Sequence, residues 1–216
     1  MIRVREFLQL EPFLEFELLS GEKGLDQSVT SFAVLDYEID SGDYSAFVNG
    51  EFVISSLLLV KELADKATAA VRKLIERGIS ALAVRVFDNA AIPEEIRALV
   101  DEAGIPLFVF RKAYVNDLFI AANNYVRARE RSEYASKKLD ELLGLPCGGS
   151  TPAAIVRGLD PLLLPCCTAA FCVWAKNDPI SAATLRLMER YSVSSPSGRR
   201  IFIPYAGGVL LLVSSD

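Results

Sequence analysis

The sequence predicts an α/β fold: a mostly parallel sheet with flanking helices, then a long connector helix and a small, truncated α+β domain. Three observations lead there. Apolar strand-like segments alternate with amphipathic helical segments over the first half of the chain. One long helical pattern then follows, and strand-like segments return near the end. We expect domains at 1–114 and 152–216, joined by a connector helix at 115–145.

The first segments are short. Val4, Phe7 and Leu8 share one helical face, which predicts a short amphipathic helix. The alternation of Phe13, Phe16 and Leu18 predicts a strand that runs into a glycine turn. The β-branched and aromatic residues of 29–35 predict a second strand.

Three further strands are expected, with two helices between them. The strands are 51–55 ("EFVIS"), 81–87 ("ALAVRVF") and 106–111 ("PLFVFR"), and the helices are 61–77 and 93–103. Strands that alternate with helices at this spacing pair in parallel through right-handed crossovers.

Ligands of open parallel sheets bind beyond the carboxyl ends of the strands. Two arginines at such ends could clamp an anion, and two serines could offer hydroxyl groups. Surface placement of the arginines and helix capping by the serines are the structural alternatives. The predicted ligand-binding residues are Asp36, Ser55, Ser56, Arg85 and Arg111, with Lys112 at the same edge.

The sequence lacks the residues and motifs of the common catalytic mechanisms. The chain has no histidine, which excludes Ser-His-Asp and Cys-His mechanisms and histidine-bearing metal sites. It has neither a P-loop nor a GxGxxG motif, and its four cysteines contain no CxxC pair. The acid pairs Glu94/Glu95 and Glu15/Glu17 are interpreted as solvated faces. We expect no catalytic residues, no metal and no cofactor.

Charge and hydropathy restrict the partners. The net charge of −5 and a pI of about 5.0 disfavour a dominant nucleic-acid surface. The N-terminus lacks the apolar core of a signal peptide, and no apolar run reaches the roughly 18–20 residues that span a bilayer. We expect a cytoplasmic protein without membrane contact.

The connector helix carries a heptad pattern. Its two rows repeat every seven residues, and alanines in the second row would allow close helix approach. The pattern fits either a dimer seam or a helix that packs on its own domain. The rows are Leu118, Tyr125, Ser132 and Leu139, and Ala121, Ala128, Ala135 and Leu142.

The segment "GLPCGGSTP" at 144–152 predicts a domain boundary. Beyond it we expect a strand, a helix at 181–191 and a hairpin around Gly207 and Gly208. These elements form a small sheet with too few helices or strands to cover its faces, which suggests a truncated domain.

Several ordered segments together resemble a known family. They are "GLDQSVTSFAVLDYEIDSGDYSAFVNGEFVISS", "LIERGISALAVRV" and "IPEEIRALVDEAGIPLFVFRKAYVNDLFIAANNYV". Over roughly residues 1–125 the chain resembles the N-terminal sensory domain of PucR-type transcriptional regulators. The resemblance implies a regulator of purine catabolism or related metabolism that senses a small molecule.

Such regulators often continue into a degenerate GGDEF-like domain and a helix-turn-helix domain. The segment "IPYAGGVLLLV" resembles the hairpin of the middle domain. Val209 and Leu210 stand where a cyclase would hold Asp and Glu, so no cyclase activity is expected. DNA binding would need a helix-turn-helix domain that is absent from this chain.

The leading hypothesis is a regulatory module that binds a small-molecule effector and relays its state through a homodimerising helix. An enzyme acting on a metabolite and a ligand-free dimerisation or interaction module are the alternatives. A ligand pocket at the strand ends would favour the effector-binding module. Acidic residues with perturbed protonation would favour the enzyme. A surface without a pocket would favour the ligand-free interaction module.

Overall fold

The computed structural model describes residues 2–56, 64–87, 91–144, 151–161, 163, 168–174, 187–188, 190–192, 194–195, 198–206 and 208–215. Within these ranges the chain forms two compact units, residues 1–123 and 124–216. Residues 61–63 and 181–186 of two predicted helices lie outside the described residues. So do Gly207 of the predicted hairpin and the cysteines Cys147, Cys166 and Cys167.

The first unit contains a five-stranded sheet. Strands β4, β5, β6 and β7 are parallel neighbours, and β2 joins the β7 edge in the antiparallel direction. The prediction of a mostly parallel α/β sheet is therefore confirmed. The strands are β2 (Glu17–Ser20), β4 (Ser31–Leu35), β5 (Glu51–Ser55), β6 (Ala81–Arg85) and β7 (Leu107–Phe110); β1 (Ile2–Arg3) and β3 (Ser28–Val29) form a separate small sheet.

Helices flank this sheet as the alternation of elements predicts. In the first unit they are α1 (Val4–Phe7), α2 (Glu38–Ser41), α3 (Ala64–Arg77) and α4 (Glu94–Glu102). The long helix α5 (Val115–Leu143) begins at the predicted residue, and its residues fall on both sides of the division between the units.

One face of the sheet is built from phenylalanines. The Phe32 ring of β4 stacks on Phe52 of β5 at 5.2 Å, and Phe52 stacks on Phe108 of β7 at 6.0 Å between centroids. Beside these rings the intervening strand β6 presents the small residues Ala81 and Ala83, which leave room for the large rings. Further rings cover this face, namely Phe7, Phe13, Phe16 and Phe119.

The opposite face is aliphatic. Val53, Leu82 and Val109 pack there against α3 and α4 in one buried cluster. Strand residues alternate between the two faces, so the sequence "ALAVR" of β6 sends its alanines to the aromatic side and Leu82 and Val84 to the aliphatic side. Burial on both faces makes this sheet the core of the first unit.

The second unit holds a four-stranded antiparallel sheet in the order β8-β11-β10-β9. Leu139 of α5 is buried in its core with apolar residues of β10 and β11, such as Ile201 and Leu212. Its elements are α6 (Thr151–Leu159), β8 (Thr168–Trp174), β9 (Ser194–Ser195), β10 (Gly198–Tyr205) and β11 (Gly208–Ser215). The predicted hairpin corresponds to β10 and β11, where Tyr205 pairs with Gly208.

Two segments differ from the sequence prediction. The strand expected from Phe13 begins only at Glu17, because Pro12 starts a 3-10 helix over residues 11–13. The strand expected at 29–35 is divided at Thr30, whose N–H donates to the Gly50 carbonyl oxygen at 2.9 Å. Phe13 and Phe16, which suggested a strand, instead pack on the aromatic face of the sheet.

Candidate functional site

The carboxyl ends of the four parallel strands meet at one edge of the sheet. Leu35 pairs with Ser55, Ser55 with Val84, and Arg85 with Phe110. All five predicted ligand residues are the last residues of these strands or follow them directly. Neighbouring strands lie about 4.8 Å apart, so the edge from β4 to β7 spans about 14 Å.

The two serines have different surroundings. Ser55 is fully buried, and its hydroxyl group donates to the Leu35 carbonyl oxygen at 3.0 Å. This bond ties the end of β5 to the end of β4. Ser56 is partly exposed, and Asp36, which follows β4, is exposed. Ser56 and Asp36 can therefore reach a ligand directly, while Ser55 holds the two strand ends together.

The two arginines are linked to each other. The Nε–H group of Arg85 donates to the Arg111 carbonyl oxygen at 3.4 Å. The guanidinium group of Arg85 also lies 5.1 Å from the centre of the exposed Phe87 ring. The side chain of Arg111 forms an ion pair with Glu17, with 2.8 Å between Nη1 and Oε1. Two cationic groups therefore occupy neighbouring strand ends.

Strand alternation distributes the predicted residues over both faces of the sheet. Ser55 pairs laterally with Leu35 and Val84 and shares their aliphatic face. Arg85 follows Ala81 and Ala83 on the aromatic face. Only a ligand at the rim of the sheet could contact residues of both faces. The assignment of these five residues as ligand-binding stays a prediction.

Sequence reasoning missed two carboxylates at this edge. Glu15 accepts hydrogen bonds from the backbone N–H groups of Lys112, at 2.9 Å, and Ala113. Glu17 holds Arg111. The interpretation of this pair as a solvated face is incomplete, because Glu15 is half-buried and binds backbone just ahead of α5. The spacing of two residues carried no signal, since the partners lie 94 to 98 residues away.

The connection after β4 is also ordered by carboxylates. Glu38 is buried, and its carboxylate accepts a hydrogen bond from the Asp36 N–H group at 3.0 Å. Lys66 donates a hydrogen bond to Asp40, and this bond lowers the pKa of the Asp40 carboxyl group. Burial, with a smaller effect from Glu38, raises the pKa of Tyr44. These contacts fix the segment that carries Asp36.

Three aromatic side chains at the same edge are exposed to solvent. Tyr37 follows β4, Phe87 follows β6 and Tyr114 precedes α5. Exposed rings beside cationic groups suit a planar or charged small molecule. Among the described residues no group of three or more potential metal-binding side chains occurs. Within the same part of the chain, no helix is long and apolar enough to cross a membrane.

A family comparison agrees with this architecture. The model of the purine catabolism regulatory protein-like family, PucR, matches residues 6–117, just over half of the chain. The chain belongs to this family. The PucR match contains β2 to β7 and all five predicted ligand residues, and it ends just inside α5. Residues 6–117 are therefore a regulatory domain of PucR type. No individual curated protein matches the chain significantly.

Proposed function

We propose that this chain is the ligand-sensing region of a PucR-type transcriptional regulator and binds a small metabolite of purine catabolism or related metabolism. The observation that carries the proposal is the meeting of Arg85 and Arg111 at the carboxyl edge of the sheet, directly ahead of α5. A ligand held there would act on the start of a helix that leads into the second unit.

The predicted residues take distinct roles in this proposal. Arg85 and Arg111 bind the polar or charged groups of the effector, and Ser56 and Asp36 supply further hydrogen bonds. Ser55 acts indirectly through its bond to Leu35, which holds the ends of β4 and β5 together. In this proposal, residues 1–114 are the sensory domain, residues 115–145 the connector helix and residues 152–216 a second domain.

A thermal-shift screen with purine-catabolic intermediates tests the site. A ligand at 100 times its dissociation constant stabilises the folded protein by about 2.7 kcal/mol, which raises the melting temperature measurably. We expect Arg111→Ala to abolish the shift of the effector that the screen identifies. Arg72→Ala, which removes an exposed arginine paired with Glu95 on another surface, is the control. An unchanged shift in Arg111→Ala would place the ligand elsewhere.

The second part of the proposal is a homodimer through α5. Leu118, Tyr125 and Leu139 of the first heptad row are buried within their own chain, and Leu139 lies in the core of the second unit. Ala128, Ser132 and Ala135 line an open groove of about 560 Å³, although Ala135 also packs against the core of the second unit. These small residues on the predicted seam leave space that the α5 helix of a second copy could occupy.

Ala128→Glu tests this seam. A carboxylate buried without a partner is costly, so we expect the dimer to dissociate while both units stay folded. Sedimentation measures the oligomeric state, and circular dichroism confirms folding. Asn123→Glu adds the same charge at an exposed position outside both heptad rows. A monomeric wild type, or equal dimerisation of both variants, would mean that α5 packs only within its own chain.

For the second unit we propose a degenerate GGDEF-like domain without cyclase activity. The support is the β10–β11 hairpin, in which Val209 and Leu210 take the places of the cyclase acids. We assign DNA binding to neither unit.

A further inference from the structure

Arg111 connects the candidate site to the segment that leads into α5. Its side chain is paired with Glu17 of β2, and its carbonyl oxygen accepts the hydrogen bond from Arg85. Only three residues separate Arg111 from the first residue of α5, Val115. If either arginine exchanges its hydrogen-bond or ion-pair partner, the backbone next to α5 is therefore affected.

Glu15 holds the same segment through hydrogen bonds to its backbone. Its two carboxylate oxygens accept the N–H group of Lys112 at 2.9 and 3.2 Å, and Oε1 also accepts the N–H group of Ala113. The carboxylate lies close to the N-terminus of α5, where the helix dipole favours negative charge. Glu15 and Glu17 belong to one short segment, so both ends of residues 111–113 are held by the strand β2 and the turn before it.

We propose that the effector is an anion that replaces Glu17 as the partner of Arg111, and that Glu15 and Glu17 are the residues that couple the site to α5. This inference rests on the proposed function. It adds the charge class of the effector and the contact that changes when the effector binds. Glu17 is a positioning residue: it holds Arg111 in place in the absence of the effector and yields the guanidinium group when a stronger anion arrives.

The exposure of the ion pair makes this exchange feasible. The side chains of Arg111 and Glu17 are 51% and 60% exposed. Such pairs contribute little because water screens them. An effector anion bound by two guanidinium groups forms stronger, charge-assisted hydrogen bonds. Arg85 would turn toward the same anion and release the Arg111 carbonyl oxygen, whose bond to Arg85 is long at 3.4 Å.

Glu17→Gln is the decisive substitution. It removes the competing carboxylate, so we expect benzoate, a simple aromatic carboxylate, to bind about fivefold more tightly than to the wild type. Benzamide, its uncharged counterpart, should gain nothing. Glu76→Gln is the matched control, because Glu76 forms an equally exposed pair with Lys73 on α3 and its loss changes the net charge equally. Titrations followed by NMR measure these affinities.

Three results would overturn the exchange. They are an unchanged or lowered benzoate affinity in Glu17→Gln, the same gain in benzoate affinity in Glu76→Gln, and an equal gain in benzamide affinity in Glu17→Gln. Failure of benzoate to bind any variant at millimolar concentration would overturn the anionic class. The thermal-shift screen could then still find an uncharged effector whose stabilising shift disappears in Arg111→Ala. In that case the proposed site stands and this inference fails.

Hydrogen exchange tests the coupling separately. We expect Glu15→Gln to speed exchange of the Lys112 and Ala113 amides about fivefold, because one strong acceptor is weakened. Benzoate should change exchange in the first turn of α5 in the wild type, and this response should shrink in Glu15→Gln. Binding of benzoate without any change at these amides would separate the site from the helix and overturn the coupling role.

Discussion

Phe52→Ala is expected to lower the free energy of unfolding of the first unit by about 3–5 kcal/mol. Phe52 is fully buried at the centre of the aromatic face, and its ring contacts Phe13, Phe32 and Phe108. Its neighbour on β6 is Ala81, which is too small to fill the cavity that the substitution leaves.

Urea unfolding followed by circular dichroism measures this loss. The single tryptophan, Trp174, lies in β8 of the second unit, so its fluorescence would report on the other unit. Leu14→Ala is the control, because Leu14 is 67% exposed and its truncation should change stability by no more than about 0.5 kcal/mol. Equal effects of the two substitutions would contradict the central position of Phe52.

Gly21→Ala is expected to destabilise the first unit by about 3 kcal/mol, through backbone strain and a steric clash. Gly21 has a φ of +76°, and a Cβ atom there would lie 2.0 Å from the Ile105 carbonyl oxygen. Its N–H group also donates to the Asp101 carboxylate at 3.1 Å, a bond that any shift would lengthen. Neither the strand end nor the loop before β7 can move without disturbing the β2–β7 pairing.

Gly42→Ala separates the two causes. Gly42 has nearly the same φ, +74°, but a Cβ atom there meets no atom within 4 Å. We expect a loss of about 1 kcal/mol, the cost of the left-handed backbone alone. The difference between the two variants in denaturant midpoint isolates the clash. Similar midpoints would mean that the segment around Ile105 relaxes at little cost.

The parallel core could be predicted because it depends on local patterns. Each of β5, β6 and β7 is a continuous apolar run bounded by turn residues, and amphipathic helices lie between them. The position of β2 could not be predicted in this way. Its partner β7 lies about 90 residues further along the chain, and no local pattern encodes so distant a pairing.

The same distinction applies to the candidate site. The strand ends follow from the order of elements, so the shared edge of Ser55, Arg85 and Arg111 was predictable. The burial of Ser55 and the roles of Glu15 and Glu17 depend on the register between strands. Register follows from packing across the sheet, which a single sequence does not specify.

The antiparallel pairing of β2 with β7 also determines the order in which the sheet can be completed during synthesis. The ribosome makes β2 among the first 20 residues, but its partner exists only after Phe110 has been added. Strands β4 to β7 can be added one after another as they emerge, each beside its predecessor. The first strand of this sheet to be made is thus the last to be paired, and until then Phe16 lacks its ring contacts with Phe108 and Phe110. Nascent chains that end before Phe110 should therefore be the ones that depend most on chaperones.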